Sequence, residues 1–200
     1  MRMSYFGDSF DIVKQSLLRW LGEFGEWSVH PMFTEKVSPP EVDAFRRFLG
    51  AKIISTEVLK PDTNRHAYFA CASSCGNLFL DPDTGLRMQP IGRIPRTDYL
   101  FEEELLRIAQ PRPNSLTLVF DQSLPRGSEK YHLAHKLRRL SQRGLFGFAY
   151  CSHASFVVVG HSASPVKDAL VEIIARSRLP VERFLDNSSH DERTVIPSNP

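Results

Sequence analysis

The chain has 200 residues, 42% of them hydrophobic and 24% charged, and its 25 Lys+Arg against 23 Asp+Glu leave a net charge of +2. That balance excludes an intrinsically disordered chain, which carries fewer apolar residues and more net charge, and no run approaches the roughly 18–20 uncharged apolar residues of a bilayer span. A chain this long buries about 70% of its unfolded surface and needs neither disulfides nor a metal to fold.

The N-terminal MRMSYFGDSFD carries carboxylates where a signal peptide would run apolar, so a cytoplasmic protein with no membrane partner is expected. Ile12, Val13, Leu17, Leu18 and Leu21 recur at helical spacing over 10–21, with Asp8 or Ser9 as cap. WSVHPMFT (27–34) reads as a strand blemished by Pro31. Ser38-Pro39-Pro40-Glu41 is a capping box that opens a helix, and Gly50 stops it. Residues 51–59 and 66–73 read as strands on either side of a Pro-Asp-Thr-Asn turn, and 77–81 as a further strand. Residues 82–98, with Gly85, Pro90, Gly92 and Pro95, read as loop. A helix over 101–109 and a buried strand over 115–121 follow. Next comes a helix over 128–142, with Leu133, Ala134, Leu137 and Leu140 inward. GLFGFAYC (144–151) and SFVVVGH (155–161) are joined by three residues, too few for a crossover, so they must pair antiparallel. The last helix starts at Ser164-Pro165 and reaches about Ser177, while 186–200 has no period and reads as a tail.

This alternation predicts one α/β domain over 1–185. Its sheet is Rossmann-like, doubly wound and mostly parallel, with about seven strands ending in an antiparallel hairpin. The order of elements resembles that of S-adenosylmethionine-dependent methyltransferases. Cys71, Cys75 and Cys151 read as ordinary thiols, because no second Cys/His pair follows at zinc-ligand spacing.

Ligands of an open α/β sheet bind outside the carboxyl ends of its strands. Two apolar strands end in acid there, Leu78-Phe79-Leu80-Asp81-Pro82-Asp83 and Leu116-Thr117-Leu118-Val119-Phe120-Asp121. If they are neighbours, Asp81, Asp83 and Asp121 converge on one rim, and each needs a metal, an arginine, an amide or a substrate group to offset desolvation. The competing reading makes Asp83-Thr84-Gly85 a turn and Asp121 a loop cap. Gln122 and Arg126 follow on the same loop. Arg87, Arg93 and Arg96 lie in 86–97 without an acid. Arg126, Lys130, Lys136, Arg138, Arg139 and Arg143 face only Glu129 in 126–143. Such segments attract nucleic acid, or merely solvate a helix face. Asp11 and Lys14 share one helix face, and as a surface pair they are worth under about 1 kcal/mol. His153, in the link between the final strands, is a candidate base.

Together these segments resemble the bacterial 23S rRNA adenine-N6 methyltransferases, which carry an Asn/Asp-x-x-Asp-Val-Leu-Lys-His helix and a catalytic Asp-Pro-Pro-Tyr. Asp8-Ser9-Phe10-Asp11-Ile12-Val13-Lys14-Gln15 takes the place of the first pattern and Asp81-Pro82-Asp83-Thr84 that of the second. The resemblance implies that Asp81 accepts a hydrogen bond from the target amino group while its nitrogen attacks the methyl group of S-adenosylmethionine, with Lys14 close by. This sequence departs from the pattern after the first strand, where His30-Pro31-Met32-Phe33-Thr34-Glu35 replaces a glycine-rich loop. The second Pro and the Tyr of the catalytic motif are also absent.

Three functions are compatible with these features. In the first, a nucleic-acid-directed enzyme methylates an amino group through Asp81, Lys14, Asp83 and Asp121, with Asp8, Asp11, Gln122, Arg126, Arg87 and Arg93 binding substrate. In the second, Asp81, Asp83 and Asp121, joined by Asp8 or Glu35, hold Mg²⁺ or Mn²⁺ for phosphodiester cleavage. In the third, the domain is a non-catalytic scaffold whose Met32, Phe33 or Phe101 form an interface.

Overall fold

In the computed structural model, which describes residues 1–89 and 95–187, the first helix runs over Ser9–Trp20 (α1). Asp8 caps it, accepting from the backbone N–H groups of Phe10 and Asp11 that the helix cannot satisfy itself. Pro31, which has no N–H, follows β1 (Trp27–His30). The Ser38/Glu41 box opens α2 (Pro39–Leu49), which ends on left-handed Gly50. Of the expected strand 51–59 only Lys52–Ile53 (β2) pairs, at the sheet edge with β1 as its sole neighbour.

The expected strand 66–73 is instead a helical turn, α3 (Arg65–Tyr68), followed by a 3-10 turn over Ala70–Ser74. Asn64 decides this, since its side-chain oxygen accepts from the N–H groups of His66 and Ala67. Tyr68, Phe69 and Ala72 then bury at helical spacing. The chain continues through β3 (Asn77–Leu80), β4 (Gly85–Arg87), β5 (Tyr99–Phe101), α4 (Glu102–Ala109) and β6 (Thr117–Phe120). It finishes with α5 (Glu129–Gln142), β7 (Phe146–Tyr150), β8 (Phe156–Gly160), α6 (Ala163–Ser177) and β9 (Phe184–Asp186). Part of the expected 82–98 loop is therefore strand, with β4 and β5 forming a parallel two-stranded ribbon. Asp186, expected in the tail, belongs to β9, which pairs with β7. The tail residues 188–200, like Arg93, lie outside the described residues.

The main sheet has the order β2-β1-β3-β6-β8-β7-β9. Strands β2, β1, β3 and β6 are parallel, and β8 returns antiparallel between β6 and β7, as their short link, five residues in the structure, requires. The fold is thus α/β with a mixed, mostly parallel sheet. Helices α1, α2 and α6 set Leu17, Phe45 and Ile173 against Phe79, Leu118 and Phe156 on one face. On the other, α4, α5 and the ribbon set Leu105, Leu137 and Leu86 against Leu80, Val119 and Val157. Each such side chain contributes about 1.5–3 kcal/mol on burial.

Met32 and Phe33 are wholly buried and Phe101 is 5% exposed, so the expected interface of these residues is corrected: they are core. Ala134 is exposed, and Lys136 occupies the inward position beside Leu137. No helix among the described residues is long and apolar enough to cross a membrane. Strand β1 leads through α2 to β2 on one side and has β3 on the other. The carboxyl ends of β1 and β3 therefore flank the point where strand order reverses, the usual ligand position in open α/β sheets.

Candidate functional site

Asp81 follows Leu80 at that point, and its N–H donates to the His30 carbonyl at 3.1 Å. Side chains alternate across a strand, which turns the Asp81 carboxylate toward α1. Lys14 meets it there. Its Nζ donates to Asp81 Oδ2 at 3.0 Å and to Asp11 Oδ1 at 2.9 Å, and lies 4.7 Å from the centroid of the Phe120 ring. Asp11, Lys14 and Asp81 are 2%, 4% and 1% exposed, so the surface-pair reading of Asp11 and Lys14 is corrected. Asp11 also accepts from the Gly7 N–H at 2.8 Å. Asp81 Oδ1, by contrast, is buried without a hydrogen-bond partner among the described residues.

Burial pulls the Lys14 pKa down, but the Asp81 and Asp11 charges outweigh it and the net direction is up, so Lys14 is an ammonium. Burial also pushes Asp81 up, and the opposing charges of Lys14 and the amino terminus offset only part of this. The two directions agree physically, because one ammonium serves two carboxylates and Asp81 is the under-compensated member.

A cleft of about 270 Å³ opens on this network, walled by the rings of Tyr5, Phe10 and Phe120 and by Asp8, Asp83 and Gln122. Asp83 pairs with Arg2 at 3.3 Å, which joins the N-terminal segment to the cleft wall. His153 is exposed, with its ring 5.4 Å from that of Phe10.

Asp121 is not part of this site. The β3–β6 register pairs Leu80 with Val119, so Phe120 stands opposite Asp81 and Asp121 falls on the other face. It is fully buried there and accepts from Lys136 Nζ at 2.5 Å, Ser123 Oγ at 2.7 Å and the Leu86 N–H at 3.2 Å. The expected convergence of Asp81, Asp83 and Asp121 is therefore corrected, and two lysine–carboxylate centres occupy opposite faces. Glu35 accepts from the Met3 N–H, and Asp8 caps α1. Among the described residues no three His, Cys, Asp or Glu side chains form a metal-ligand group.

The basic segment 126–143 is also partly spent. Lys136 ties β4 to the end of β6, and Arg139 and Arg143 pair with Glu102 and Glu103. Arg126 is exposed and outside the cleft, and Arg87 lies over the Tyr99 ring. Lys136 could have been found from sequence, because it lies on the Leu133–Leu137–Leu140 stripe. Lys14 likewise shares the stripe of Leu17, Leu18 and Leu21.

The end of β1 tests the adenosyl cofactor. Pro31 offers no N–H, Met32 and Phe33 fill the space with buried side chains, and the Met1 amino group donates to the Met32 carbonyl at 3.0 Å. Backbone cannot approach a cofactor as a glycine loop would, and these residues do not fit S-adenosylmethionine.

His30 closes β1 beneath the cleft floor. Its Nε2 lies 3.3 Å from the Tyr68 carbonyl, its ring lies against Tyr68 and Phe69, and its Nδ1 has no partner among the described residues. Burial lowers its pKa from 6.5 to about 4. The unfolded chain therefore binds a proton near pH 6.5 that the fold refuses until about pH 4, so stability falls as pH drops across that window. The full loss is roughly 3 kcal/mol. Urea titrations should show this decline in the wild type but not in His30→Phe, and parallel pH profiles would contradict it.

No family model matches the chain, and no curated protein or solved structure matches it.

Proposed function

We propose that the domain is Rossmann-like with methyltransferase-like topology, and that its cleft recognises the exocyclic amino group of a planar ring, such as adenine in nucleic acid. The observation that carries this reading is Asp81 Oδ1, a buried acceptor without a donor beside a cleft walled by three aromatic rings. Leaving such a group unpaired costs about 1–3 kcal/mol, and a ligand N–H removes that cost. A flat amino-bearing ring supplies the donor for Asp81 and a π face for Tyr5, Phe10 and Phe120. Lys14 holds Oδ2 and thereby fixes which oxygen stays free. The β1 loop does not suit the adenosyl cofactor, so the reading is recognition of the ring, not methyl transfer to it.

Calorimetric titration with adenosine and inosine tests it, since inosine carries a carbonyl where adenosine carries the amino group. Wild type should prefer adenosine by about tenfold or more, corresponding to about 1.4 kcal/mol. In Asp81→Asn the amide oxygen stays toward Lys14 and an NH₂ replaces the free acceptor, so the preference should vanish or reverse. Equal affinities in the wild type would overturn the reading.

A further inference from the structure

The β4–β5 ribbon is two-faced. Leu86 and Leu100 point into the core, while the register aligns Arg87 with Phe101 and places half-buried Tyr99 two residues back on the ribbon's outer face, where the Phe101 ring is itself buried beneath Arg65 and Arg96. Guanidinium groups cover those rings. Arg87 lies 4.7 Å from the Tyr99 centroid, and Arg96 lies 5.2 Å from that of Phe101. Arg65, Arg139, Arg143 and Arg2 pair with Glu104, Glu102, Glu103 and Asp83, while several exposed arginines such as Arg126 and Arg138 pair with no acid among the described residues but cover no ring. Among the described residues Arg87 and Arg96 pair with no carboxylate, and Arg87 Nε is a buried donor with no acceptor.

We propose that this outer face binds the backbone of single-stranded nucleic acid. A guanidinium held over a ring keeps N–H groups for phosphate oxygens, and a guanidinium plane can stack on a base. Arg87 and Arg96 thus take two phosphates through their outer N–H groups. Asp83 in the cleft wall is four residues before Arg87, about 13 Å of extended chain. The inference extends the reading of the cleft to a polymer ligand, but its own contacts lie on β4 and β5.

Fluorescence anisotropy with a short fluorescein-labelled single-stranded RNA tests it, with thermal melting as the folding control. Arg87→Ala/Arg96→Ala should weaken binding at least about tenfold and make the log–log salt dependence shallower by about 1.4, about 0.7 per phosphate. Arg96 is exposed, so Arg96→Glu reads the same surface without disturbing the fold if the double variant unfolds. Asp81→Asn should keep the salt slope. Undiminished binding in the arginine variants overturns the inference, as does equal affinity for a duplex of the same sequence or no binding by wild type. Loss of binding in Asp81→Asn with unchanged arginine variants would assign all contact to the cleft and also overturn it.

Discussion

Replacing Lys14 by alanine is expected to lower stability by about 3–5 kcal/mol, the cost of breaking a buried ion pair from one side. Asp11 and Asp81 would be left buried and facing each other without the ammonium that both now accept from. Lys14→Met restores most of the lost volume but not the charge, and should be nearly as damaging. Asp11→Asn/Lys14→Met/Asp81→Asn removes all three charges and should recover most of the loss. In Lys14→Ala the carboxylate pKa of Asp81 is raised further above its unfolded value. Its stabilising neutral form is then complete at low pH and lost as pH rises, so the deficit against wild type grows on moving from about pH 4 to pH 7. Urea unfolding at both ends of that range measures this. A cost under about 1 kcal/mol, the range of an exposed pair, would show that the network is not buried in solution.

Gly85→Ala is expected to cost at least about 3 kcal/mol, because it combines backbone strain with a collision that cannot relax. Gly85 has a φ of 145°, and a Cβ there would strike the Asp121 carboxylate while lying 2.9 Å from its Cα and 3.0 Å from the Gln122 nitrogen. Two of these neighbours are backbone, and the carboxylate is fixed by Lys136, Ser123 and Leu86. The Gln122 N–H donates to the Thr84 carbonyl at 2.8 Å, so moving this crossing also moves a wall of the cleft. Gly127 is the control. Its φ is 81° with nothing within 4 Å of a Cβ, so Gly127→Ala carries conformational strain alone, about 1–2 kcal/mol. Thermal melts of the two variants separate the terms, and equal losses would contradict the close-packing account.

The parts of this molecule legible in sequence are those decided locally. The Asp8 cap, the Ser38/Glu41 box, Gly50 and the short link of the final hairpin each act within a few residues, and the cap, box, stop and antiparallel pairing form as expected. Lys14 and Asp81 stand out in the sequence in two separate segments, and their direct contact at 3.0 Å comes from the packing of α1 on β3, which neither segment encodes. Asp121 was misplaced because its face depends on the register of β6 against β3, a contact between distant segments that neither strand encodes alone. Three-residue β4, β5 and β9 are too short to show alternation, and α3 turns on one side chain, Asn64. The apolar stripes of α1 and α5 each contained a lysine, and the basic character of those positions hid their burial.

In the proposed function, an amino-bearing ring enters between Tyr5, Phe10 and Phe120 and is held by Asp81. Aromatic NMR spectra recorded during titration with adenosine test it most directly. Saturable shifts of those three rings, absent in Asp81→Asn, are the predicted result. Unmoved rings, or shifts confined to Tyr131 and His135 on α5, would contradict it.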